Sequence, residues 1–94
     1  MFTKTANGQE LINLQNTGRV YIVKTTEDGK EGHEVRAREI GFDADNPSEH
    51  IHWLATFDSA AKAVRLIDEL GRALSMRATY FDMHDAITQI NSQQ

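Results

Sequence analysis

His50 and His52 are the residues whose type and spacing point most directly to chemistry. At i,i+2 on a strand both imidazoles share one face, and two ring nitrogens on one face can begin a zinc site. Such a site needs a third ligand and usually a fourth; by type, His33, Glu34 and Glu49 are the candidates. Nothing in the spacing completes the set. The pair therefore reads as two polar rings on a sheet face, with no metal and no cofactor expected. His84 reads as a surface residue in the first turn of the last helix. The chain has no cysteine, which removes thiol nucleophiles, Cys-type zinc sites and Fe–S clusters. It has no phosphate-binding glycine loop, no G-x-S-x-G elbow, no H-E-x-x-H and no calcium-loop pattern. With no nucleophile–base pair to name, there is no catalytic residue and the chain reads as a non-enzyme.

Binding is the remaining class. Ten Lys and Arg stand against fourteen Asp and Glu, a net of −4, and the excess is uneven. Residues 1–26 carry Lys4, Arg19 and Lys24 against Glu10, a net of +2. Residues 27–49 carry eight carboxylates against Lys30, Arg36 and Arg38, a net of −5. Nucleic-acid binding draws on clustered Lys and Arg that neutralise phosphates, and no such run exists along the chain, so direct nucleic-acid binding is not expected. The acidic middle suits a partner protein with a basic surface, or keeps the chain soluble. Its exposed part, Glu39, Asp43, Asp45 and Glu49, is the expected recognition surface. Tyr80 and Phe81, followed by Met83, form a second expected contact surface, because adjacent aromatics in extended chain point to opposite sides and aromatics anchor interfaces.

These residues need elements to position them. Phe2–Lys4 and the segment around Leu11–Leu14 read as strands joined through Asn7-Gly8, a dipeptide that tolerates positive φ. Arg19–Thr25 is rich in β-branched and aromatic residues and is the clearest strand. A polar turn over 27–32 leads to His33–Ile40, where charged and apolar residues alternate with Val35 and Ala37 inward. Gly41–Glu49, with the only proline, reads as an exposed loop. In His50–Phe57, alternation places Ile51, Trp53, Ala55 and Phe57 on the core face and His50, His52, Leu54 and Thr56 opposite, so Trp53 is expected in the core. Asp58 or Ser59 caps a helix expected over about 59–75, with an apolar stripe of Ala60, Ala63, Val64, Ile67, Leu70 and Leu74. Asp82 caps a second, short helix. Ile12, Val20, Ile22, Val35, Ala37, Ile51, Trp53, Phe57, Val64, Ile67, Leu70 and Leu74 are the expected core.

Ninety-four residues make one domain, 1–94. The fold class is α+β: an antiparallel meander of four to five strands, one main helix on one face and a short C-terminal helix. No apolar run reaches membrane-span length and no signal-peptide core opens the chain, so no membrane contact and a cytoplasmic location are expected.

Two stretches carry a resemblance. One is Phe2-Thr3-Lys4-Thr5 through Gly8-Gln9-Glu10-Leu11-Ile12-Asn13-Leu14 with the strand Val20–Val23. The other is Leu54-Ala55-Thr56-Phe57-Asp58-Ser59 running into the helix. Together, over residues 2–74, they resemble small uncharacterised phage and bacterial proteins with a strand meander followed by one helix. The Gly41–Glu49 loop is longer than that pattern, and residues 77–94 are additional. No functional residue comes with the resemblance. It implies a phage or mobile-element protein, in the host cytoplasm, that inhibits or modulates a host protein complex such as a CRISPR-type defence effector. The alternatives are a homo-oligomeric assembly protein, for example a homodimer through sheet edges, and a small metal-dependent regulator using His50 and His52.

Overall fold

A computed structural model describes residues 1–39 and 51–92. The chain is α+β, and its strands divide into two sheets. The first sheet begins with the hairpin of β1 (Phe2–Lys4) and β2 (Leu11–Asn13), paired antiparallel with Thr3 opposite Ile12. Asn7-Gly8 makes its turn: Gly8 adopts φ 71°, and Asn7 Oδ1 accepts from Gln9 N at 3.1 Å. A single 3-10 turn, Leu14–Asn16, then leads into β3 (Thr17–Glu27). β3 and β4 (Lys30–Glu39) form a long antiparallel ladder with Glu27 opposite Lys30. Asp28 and Gly29 are the whole connection, both at positive φ (52° and 77°), the type I′ geometry that matches strand twist. The polar turn expected over 27–32 is thus two residues long, and the strands run through the rest. β5 (Ile51–Phe57) pairs antiparallel with β4 and completes a three-stranded sheet in the order β3-β4-β5.

The expected meander therefore comprises β3, β4 and β5, while β1 and β2 belong elsewhere. β6 (Tyr80–Phe81) pairs parallel to β1, giving the second sheet its order β2-β1-β6. In chain order α1 (Ala60–Ser75) precedes β6 and α2 (Met83–Ser92) follows it. Ser59 caps α1, its hydroxyl accepting from Lys62 N at 3.3 Å, and Asp58 pairs with Lys62 at 3.0 Å. Asp82 Oδ1 accepts from Asp85 N at 3.0 Å and starts α2.

One core joins these parts: Met1, Ile12 and Leu14 from the first sheet, Val35, Ala37, Leu54, Ala55 and Phe57 from the second, Ala63, Leu66 and Leu70 from α1, and Phe81, Met83 and Ile90 from the C-terminal segment. Val20 and Ile22, not Tyr21 and Val23, turn toward it. Two expectations are corrected. In α1, Leu66 is fully buried while Val64 and Leu74 are 48% and 45% exposed. At about 100° per residue, Leu66 falls beside the Ala63–Leu70 line, whereas Val64 falls about a third of a turn away. In β5, the register with β4 slips between Val35/Ala55 and Arg36/Trp53, leaving Leu54 as an extra residue. A bulge reverses the alternation beyond it. Leu54 joins the core at 0% exposure, His52 moves to the core side opposite Ala37, and Trp53 and Ile51 move to the far face opposite Arg36 and Arg38.

Candidate functional site

His50, Asp43, Asp45 and Glu49 lie outside the described residues. His52 stands at the core-side margin of the sheet with its side chain 19% exposed, between two carboxylates. Its Nε2 lies 2.7 Å from Glu39 Oε1, and its Nδ1 lies 3.9 Å from Glu10 Oε1. A carboxylate accepts only, so the short contact assigns the Nε2 proton to His52 as donor to Glu39. Of the ligands suggested by type, His33 pairs with Phe57 at the far end of the ladder and Glu34 faces the opposite side with Thr56. Glu10 is the neighbour that spacing does not show: it reaches His52 from the β1–β2 hairpin, 42 positions away along the chain. Among the described residues no group of three or more His, Asp or Glu has the geometry to hold a metal ion. The ring and Glu39 act as a polar clasp between β4 and β5.

The acidic stretch is partly used within the fold. Glu31 pairs with Lys24 at 3.1 Å, Glu34 with Arg36, and Glu39 with His52. Glu39 is half-buried against the histidine, so its carboxylate serves the sheet first.

Tyr80 and Phe81 separate as extended neighbours must. Phe81 is 9% exposed in the core, so it is not a surface residue, and Met83 is buried with it. Tyr80 is 49% exposed. It has company that the sequence does not announce. Phe2 lies beside it across the parallel β1–β6 pairing and is 45% exposed. Phe2, Leu74, Arg77 and Ala78 line a hollow of about 440 Å³ floored by Met1. Met76, at the end of α1, is 74% exposed. The backbone beyond α1 is fixed by a Schellman-type close: Ala78 N donates to Ala73 O at 3.0 Å, with Arg77 at φ 57°. Four large apolar side chains thus stand at the C-terminal end of α1 and at the start of the paired strands β1 and β6. The signal for them is the apolar residues at and beyond the last turn of α1, Leu74, Met76 and Tyr80, which the core does not absorb.

No family model, no curated protein and no solved structure matches this chain. No described helix is long and apolar enough to cross a membrane.

Proposed function

We propose that this chain is a non-enzymatic binding module that inhibits or modulates a host protein complex through protein–protein contact. One observation supports this reading above the rest: Phe2 and Leu74, which line an open hollow, and Met76 and Tyr80, which follow α1, all stay 45–74% exposed. Large apolar side chains gathered at a surface favour association, and a tyrosine at such a place is a favoured anchor. The phage-type resemblance over residues 2–74 supplies the class of partner, a host complex such as a bacterial defence effector. The acidic residues Asp43, Asp45 and Glu49 supply a steering charge toward a basic rim on that partner.

Affinity capture from a bacterial host lysate with mass spectrometry tests this. The expected result is a host protein recovered in stoichiometric amount by the wild type and lost with Met76→Ser/Tyr80→Ser, the thermal midpoint of the variant being unchanged. Equal recovery by the variant overturns the proposed surface. Recovery of copies of this chain alone overturns the partner and favours the assembly reading.

A further inference from the structure

The bulge at Leu54 creates a surface that the linear pattern conceals. In an antiparallel ladder, directly opposed residues point the same way, and side chains alternate along each strand. The face of β3-β4-β5 turned away from Val35 and Ala37 therefore carries three cross-strand rows: Arg19–Arg38–Ile51, Tyr21–Arg36–Trp53 and Val23–Glu34–Thr56. Tyr21, Val23, Ile51 and Trp53 are half-buried and stay outside the core cluster. These three rows hold three guanidinium groups and one carboxylate, and the Glu27–Lys30 pair further along the same face adds one charge of each sign, in a chain whose net charge is −4. The side chains are arranged rather than loose. Arg19 stacks over the Tyr21 ring at 4.9 Å. Arg36 is held by Glu34 along its own strand. Trp53 Nε1 donates to Thr56 Oγ1 at 2.7 Å, which fixes the indole on the sheet.

We infer that this face is a second binding surface, built by the Tyr21–Arg36–Trp53 row, for an acidic extended segment of a partner protein. Charge complementarity selects the occupant: guanidinium forks bind carboxylates bidentately, and Tyr, Trp and Arg are the side chains that most often carry interface energy. Arg19 and Arg36 stand in adjacent rows on the neighbouring strands β3 and β4, so one extended segment laid across this face meets both. A single-stranded nucleic acid fits less well. Arg19 occupies the Tyr21 ring face that a base would stack on, and Glu34 stands beside Arg36 where a continuous phosphate chain would pass. A peptide places its charges singly and can set a neutral residue over Glu34. This surface is independent of the Phe2–Tyr80 patch and uses none of its residues.

Trp53 is the only tryptophan, so its fluorescence reports this face in the intact chain. The probes are an acetylated 12-residue peptide of alternating Glu and Val, the same peptide with Lys for Glu, and a 12-nucleotide oligo-dT. The expected result is a saturable change in Trp53 emission with the Glu peptide and none with the Lys peptide. Arg19→Gln/Arg36→Gln weakens it about tenfold, as loss of complementary charge at an interface does. Glu34→Gln tightens it several-fold, because it frees Arg36 and removes the repelling carboxylate of the three rows, a gain that no loss of fold can imitate. No saturable change with the Glu peptide, an unchanged or weaker affinity for Glu34→Gln, or tighter binding of oligo-dT than of the Glu peptide overturns the inference. Met76→Ser/Tyr80→Ser is expected to leave this titration unchanged, so failure here and failure of the proposed function are read separately.

Discussion

The backbone N–H of Ala6, in the turn of the first hairpin, donates to the carbonyl of Leu54, the bulged residue of β5, at 2.8 Å. An extra residue in a strand leaves its backbone groups outside the ladder, and here the first sheet takes one of them. The same hairpin brings Glu10 to His52, so the bulge both flips β5 and anchors the two sheets together. Ala6 is exposed. Its amide is nonetheless expected to exchange with solvent as slowly as the β5 amides, within about a factor of ten, since one opening event must free both. Exchange at the rate of an open turn would show that the sheets separate independently.

The face of α1 gives a second test. Leu66→Ala, at a site with no exposure, is expected to cost about 2–5 kcal/mol, the range for a buried leucine that leaves a cavity. Val64→Ala, at a site 48% exposed, is expected to change stability by less than about 0.5–1 kcal/mol. Urea unfolding of the two variants measures the difference. Equal losses would mean that the helix is rotated from the orientation described.

Much of this fold is legible where one residue type has one job. Asn7-Gly8 and Asp28-Gly29 mark hairpins because positive φ is needed there. Ser59 and Asp82 mark helix starts because each puts an oxygen near an orphan N–H. Alternation places Val35 and Ala37 inward because their neighbours are charged. The bulge is not legible: Trp53, Leu54 and Ala55 are all apolar, so period two continues through them without a visible break. The stripe of α1 is ambiguous for the same reason, Val64, Leu66 and Ile67 all being apolar. The parallel β1–β6 pairing joins residues such as Thr3 and Phe81, 78 positions apart, through a two-residue strand with no local signal. Of the candidate site, the sequence shows that one of Tyr80 and Phe81 faces outward but not which. Phe2 and the Tyr21–Arg36–Trp53 row depend on those long-range pairings and on the bulge.

Gly71 lies inside α1 on its exposed side, and a Cβ built there meets nothing within 4 Å. Close approach of a strand therefore does not explain it. Gly71→Ala is expected to raise stability by up to about 1 kcal/mol, the propensity difference in a helix interior, with fewer unfolded conformations contributing. The thermal midpoint should rise. A fall would mean that the helix bends or that the site meets a partner. Gly32 is the contrasting case: its added Cβ would stand 2.9 Å from Thr25 Oγ1 and 3.3 Å from Thr56 Cγ2, so Gly32→Ala is expected to lower the midpoint.

The last test separates a clasp from a metal site at His52. The Nε2–Glu39 contact of 2.7 Å joins a ring 19% exposed to a carboxylate 38% exposed. Partly exposed pairs of this kind contribute about 0–1 kcal/mol. A double-mutant cycle with His52→Ala and Glu39→Gln is expected to give a coupling of about 0.5–1 kcal/mol, falling as salt rises because the pair is partly open to solvent. The single variants also alter the 3.9 Å approach of Glu10 to Nδ1, so Glu10→Gln in the His52→Ala background should add nothing, its partner being gone. If His52 instead begins a zinc site, zinc would bind near one per chain and raise the thermal midpoint, chelator would reverse the gain, and His52→Ala would abolish it. The expected outcome is a coupling unaffected by zinc or chelator: Nδ1 keeps its lone pair, but a zinc site needs at least three protein ligands, and among the described residues no group of three or more His, Asp or Glu could hold a metal ion.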